Sequence, residues 1–186
     1  MIMITNCQDN VSHLKKIFSK VFSKNDPFDK MFVPSISSKI LLYPTNGYHL
    51  SEKQFLALTT TMKILGEPSF YLSEIEGNPF EKINTHSIHT YQHFEVNIET
   101  SYVEYERKNI VLENALYSAQ GEWGIIISHE EHAVLGGHKQ FIDTFKKLYP
   151  DFINDQAKFI KTIEYWSERS KTNMRWLPEF MKYINE

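Results

Sequence analysis

The chain has 186 residues, of which 41% are hydrophobic and 14% aromatic, and its formal net charge is −3. That length suits one domain, and so large a store of Phe and Tyr excludes a disordered chain, which could not bury enough apolar surface to fold. No apolar run approaches the roughly 20 residues of a membrane-spanning helix, and the single cysteine, Cys7, excludes an internal disulfide framework.

The first predicted element is a helix from Val11 to Phe22, with Leu14, Ile17, Phe18, Val21 and Phe22 on one face and Lys15, Lys16 and Lys20 on the other. Asn25-Asp26-Pro27 ends it, and Lys39 to Tyr43 reads as a short strand stopped by Pro44 and Asn46-Gly47. A second helix starts at Ser51, with Gln54 three residues on as in a capping box. Phe55, Leu58, Met62 and Leu65 line its apolar face, and Gly66 and Pro68 close it. Phe70–Ser73 and the alternating Phe94–Ile98 predict strands, while Tyr102–Leu112 fits either a strand or a short helix.

Ala115–Ser118 and Trp123–Ser128 predict two hairpin strands, followed by a polar turn at 129–132 and a third strand at Ala133–Leu135. Gly136-Gly137 is expected to allow a tight turn into a helix whose inner face carries Phe141, Ile142, Phe145 and Leu148. Two C-terminal helices follow, one marked by Phe152, Phe159, Ile163 and Trp166, the other by Trp176, Leu177, Phe180, Met181 and Ile184, all expected to pack in the core. The pattern predicts one α+β domain over residues 1–186, an antiparallel sheet flanked by helices from the N-terminal third and the C-terminal third. With no basic segment leading a long apolar one at the N-terminus, a cytoplasmic location is expected.

Charge is unevenly spread: Glu67 to Glu106 holds eight Glu and one Lys, a net of −7, against +4 elsewhere. A field of that sign disfavours nucleic acid and reads either as a solvated acidic face that aids solubility or as a docking surface for a basic protein partner. Within it Glu95, Glu99, Tyr102, Glu104, Tyr105 and Glu106 are the candidate partner-binding residues, with Tyr71 and Tyr91 as further aromatic anchors.

Six histidines form two groups, His86, His89, His93 and His129, His132, His138. Helical geometry would put the first three on one face, but Asn84, Thr85, Ser87 and Thr90 around them favour a loop. The second reads His-Glu-Glu-His, with its histidines three apart where the zincin pattern needs four, so exposed turn histidines are expected. Glu130 and Glu131 are adjacent, and on a strand would point to opposite sides, which argues against one substrate meeting both. Ser118 and Ser128 lack the nucleophile-elbow context, and Gly136-Gly137 lacks a phosphate-loop pattern. No catalytic residue, metal or cofactor is therefore expected. The alternative is a metal-dependent enzyme with His86, His89, His129 and His132 as ligands and Glu130 or Glu131 as base.

The run Asn114-Ala115-Leu116-Tyr117-Ser118, Gly121, Trp123-Gly124, Ser128-His129-Glu130, His132-Ala133, Leu135-Gly136-Gly137 resembles a stretch shared by small stand-alone bacterial proteins of unknown activity. Some proteins of that kind accompany polymorphic or contact-dependent toxins as immunity partners. The resemblance implies a protein-binding function, the neutralising of a basic toxin, and carries no catalytic assignment.

Overall fold

The computed structural model describes residues 4–7, 10–80, 90–170 and 174–186. In chain order its elements are β1 (Ile4–Asn6), α1 (Val11–Val21), β2 (Ser38–Leu42), α2 (Glu52–Leu65), β3 (Ser69–Glu74), β4 (His93–Asn97) and α3 (Tyr102–Glu106). Then follow β5 (Asn114–Ser118), β6 (Trp123–Ile127), β7 (Ala133–Gly137), α4 (Lys139–Leu148), α5 (Phe152–Ser170) and α6 (Trp176–Asn185). The strands form one antiparallel sheet in the order β1-β4-β3-β5-β6-β7-β2, and the α+β class stands.

Alternation along the central strands sends side chains to two cores. Trp123, Ile125 and Ile127 of β6 pack with Leu116, Leu135, Phe55 of α2 and Phe141 of α4. Ile126 packs instead with Tyr117, Val134, Phe18 of α1, Phe159 of α5 and Phe180 of α6. The sheet is thus covered on both faces, which is why β6 and β7 are apolar throughout. The helix starts follow from local chemistry: the Ser51 N–H donates to Gln54 Oε1 at 2.9 Å, and Gly66 closes α2 in the left-handed region at φ 80°.

On the second face the glycines of β6 and β7 form a notch. Gly124 and Gly136 sit directly opposite each other, and Phe22 and Phe32, stacked at 5.3 Å, lie over them. Gly136 and Gly137, expected as a turn into α4, are instead the last residues of β7. Pairing with Ser38 and Lys39 of β2 keeps them extended. The β1 strand was not expected from sequence; its three residues are too few to show a period.

A buried carboxylate fixes the crossing of α5 past the β2 edge. Asp155 Oδ2 accepts from the Tyr43 N–H at 3.1 Å and the Tyr149 hydroxyl at 2.9 Å, and Gln54 Nε2 donates to Pro44 O at 3.1 Å and to the Tyr149 oxygen at 3.4 Å. The chain links α2, α4, α5 and β2 through side chains that sequence periodicity does not single out. Asp155→Ala is expected to lower stability in urea by about 2 kcal/mol, because it strands the part-buried Tyr43 N–H and the buried Tyr149 hydroxyl. Asp155→Asn keeps an acceptor oxygen and should lose less than half as much; equal losses would mean the carboxylate acts only by filling space.

Candidate functional site

The acidic stretch does not fold into one surface. Glu67 is buried, accepting from Trp123 Nε1–H at 2.8 Å and the Ser118 hydroxyl at 2.7 Å, and burial raises its pKa. Glu74 is fully buried and clamps two loops, accepting from the backbone N–H groups of Val111 and Gln92, each at 2.9 Å. Tyr105 is a core residue and not a surface anchor. Its ring stacks on Phe55 at 4.4 Å, its hydroxyl oxygen accepts the Leu50 N–H at 3.0 Å, and it has no exposed surface.

The remaining candidates are divided by the sheet. Glu95 is paired across the strands with Tyr71, which packs on the core of α1 and α6, and it accepts from the Ser69 hydroxyl at 2.7 Å. Tyr102 packs on the opposite core, beside α2. On that side Glu99 pairs with Lys63 at 2.6 Å, Glu104 accepts from the Ser101 N–H and hydroxyl in a capping box, and Glu106 accepts from Asn46 at 2.7 Å. Those hydrogen bonds from Ser101 hold the Glu104 carboxyl below its ordinary range. Each of these exposed carboxylates already serves a local partner.

The histidines divide as well. His86 and His89 lie outside the described residues. His129 is exposed, with Nδ1 against Glu113 Oε1 at 2.9 Å and Nε2 4.0 Å from Glu130. His132, expected in an exposed turn, has no exposed surface and packs among Phe28, Phe159 and Phe180. His93 is also buried, stacked on Phe80 at 5.5 Å. Among the described residues no group of three or more His, Cys, Asp and Glu side chains is placed to hold a metal ion.

What the fold does assemble is a cleft of about 690 Å³ where the β6–β7 turn, the loop after α1 and the end of β2 meet α5 and the start of α6. Its volume is in the range of ordinary ligand pockets. Phe28, Tyr43, Trp166 and Trp176 supply four aromatic rings, and Asp26, Glu130 and Glu131 supply three carboxylates. No lysine or arginine is among the described residues that line it. The Phe28 and Trp176 rings meet at 4.9 Å with their planes 75° apart, so the wall presents aromatic faces in two directions. Trp166, expected in the core, is 57% exposed, and Tyr165 beside it is 46% exposed. Phe159, Ile160 and Ile163 of α5 join the second core, and Trp166 does not.

Glu130 and Glu131 both line the cleft. They lie in the turn, and Glu131 takes the left-handed conformation at φ 59°, the one non-glycine residue among those described to do so. That conformation costs a residue with a Cβ roughly 1–2 kcal/mol. The turn is pinned by the Ser128 N–H on His132 O at 2.9 Å and the Thr45 N–H on Glu131 O at 2.8 Å. Carboxylates around aromatic faces attract organic cations, through charge and through the ring quadrupole. Sequence reasoning located Glu130, Glu131 and the tryptophans but could not join them, because the cleft is built from five separate segments.

Compared with protein-family models, with curated proteins and with solved structures, the chain matches none. Among the described residues no helix is long and apolar enough to cross a membrane.

Proposed function

We propose that this is a binding protein for a basic protein partner, and that the contact is made at the aromatic and carboxylate cleft. The observation that carries the reading is the lining itself: three carboxylates and four aromatic rings, with His129 the one basic side chain among its described residues. A basic toxin is one partner of this chemistry, and a cytoplasmic place of action is in keeping with the single cysteine. The cleft, and not the Glu95–Glu106 stretch, is the centre of the contact. Interface energy concentrates in aromatic pockets, and the cleft brings Phe28, Tyr43, Trp166 and Trp176 together.

The test is a fluorescence titration with a capped hexapeptide of alternating Lys and Arg, read through the exposed Trp166. Wild type should bind, and Asp26→Asn with Glu130→Gln should weaken binding about tenfold or more. Reversing Glu99, Glu104 and Glu106 to Lys should leave affinity within about threefold. Loss with the reversal variant and none with the cleft variant would return the site to the acidic stretch.

A further inference from the structure

We infer that the cation taken by the cleft is a quaternary ammonium group, held by aromatic rings and not by hydrogen bonds, and that on the basic partner it is the head of a trimethylated lysine. The inference rests on the cleft reading above and names what enters it.

The aromatic wall of the cleft is the outer layer of the second core. Phe28 packs on His132 at 4.7 Å, Tyr43 on Phe159 at 5.6 Å and Trp176 on Phe180 at 5.8 Å, and all three backing rings are buried. The Phe28 and Trp176 rings also brace each other at 4.9 Å. Three of the four rings that line the cleft are therefore fixed before a ligand arrives, and binding does not have to order them. Trp166 is the fourth, and more than half of it is open to solvent.

The carboxylates give the cleft its field, while two of them already have protein neighbours. Asp26 Oδ1 accepts the Phe28 N–H at 2.8 Å, which sets that charge at the backbone of a cleft ring. Glu130 Oε1 lies 4.0 Å from His129 Nε2. A primary ammonium brings three donors and a guanidinium five, and each needs an acceptor once it leaves water. A trimethylammonium group brings none. Its methyl groups carry the charge against ring faces, so it gains from the ring quadrupole and from apolar burial while stranding no donor. Ile163 and Met174 extend the lining with apolar and polarisable surface that suits methyl groups better than N–H.

Calorimetric titration of the whole chain with capped tripeptides tests this, with thermal melting of the variant alongside. Alanines flank a central lysine, a trimethyllysine, or the neutral isostere of trimethyllysine with carbon in place of the charged nitrogen. The trimethyllysine peptide should bind about tenfold more tightly than either of the others. Trp166→Leu keeps an apolar side chain at an exposed position. It should melt as wild type does and lose about fivefold for the trimethyllysine peptide, with the lysine peptide changed less than about twofold. Equal affinity for lysine and trimethyllysine, or no binding of any tripeptide while the Lys-Arg hexapeptide binds, would overturn the quaternary head and leave the cleft as a site for cations. Equal affinity for trimethyllysine and its isostere would show that the cleft does not read charge, and would overturn both. Choline binding as tightly as the trimethyllysine peptide would overturn the partner's side chain as the source of the group. Failure of the tripeptides and the hexapeptide alike would overturn the cleft reading itself.

Discussion

Gly124→Ala is expected to destabilise the fold by about 2 kcal/mol or more, although glycine-to-alanine changes inside strands commonly stabilise. The sign is decided by the space over the residue. A Cβ on Gly124 would lie 2.4 Å from Cζ of Phe22 and 2.7 Å from Cγ1 of Val21, and neither can withdraw. Phe22 is buried and clamped between Phe18 at 4.6 Å and Phe32 at 5.3 Å, and Val21 is the last residue of α1. Gly136 repeats the situation across the strand pair, with a Cβ there 2.6 Å from Phe32 Cζ and 2.8 Å from Ile36 Cγ2. Urea unfolding in a double-mutant cycle checks it. With Phe22→Leu the added cost of Gly124→Ala should fall by about half, because the ring clash goes while the valine contact remains. Wild-type stability for Gly124→Ala would show that α1 can ride up from the sheet, and the glycine notch would then not fix its height.

That notch shows where the sequence was legible and where it was not. The strand around Ile125, Ile126 and Ile127 announces itself through β-branched apolar residues, and α2 through Ser51, Gln54 and Gly66, since these are local signals. Gly136-Gly137 reads locally as a turn, and only the pairing of β7 with both β6 and β2 makes it strand. Residues distant in sequence, Phe32 and Ile36, are what require glycine at position 136.

The same limit governs the site. The net charge of the Glu67–Glu106 stretch is a true property of the chain, yet a sum along the sequence does not map to a patch. Glu67 and Glu74 serve as interior acceptors, and the sheet passes between Glu95 and Glu104. Tyr105 could not be told from a surface tyrosine because the Leu50 N–H that its hydroxyl oxygen accepts comes from 55 residues away. For Trp166 the error ran the other way: helical spacing marks a face, and whether anything covers that face depends on neighbours. The left-handed backbone at Glu131 left no trace in residue type, since glutamate is not a residue that favours it.

Acid should unfold this protein early, and His132 should be the largest single cause. Its imidazole has no exposed surface, lies between Phe28 at 4.7 Å and Phe159 at 5.1 Å, and has one protein acceptor, Pro27 O, 3.4 Å from Nε2. Nδ1 has no partner among the described residues. Burial in that apolar cage pushes its pKa down to about 4 from 6.5. The unfolded chain therefore binds a proton at higher pH than the folded one. The stability linked to the neutral ring is fully present above pH 6.5 and is lost as pH falls through about 4. Over that interval the loss is on the order of 3 kcal/mol. Burial lowers the pKa of His49 and His93 as well, adding to the same slope. Glu67, Glu113 and Asp155 act against it, because burial raises their folded pKa values and the stability they contribute is greatest in acid and falls as pH rises through those values. Urea unfolding of wild type and His132→Leu from pH 7.5 to 4.5 separates the contributions. The variant should lose less stability than wild type across that range, whatever its starting value, since only the His132 proton has been removed from the comparison. Parallel curves would mean that the folded ring takes up a proton as readily as the unfolded one, which requires water or a carboxylate to reach the cage behind Phe28.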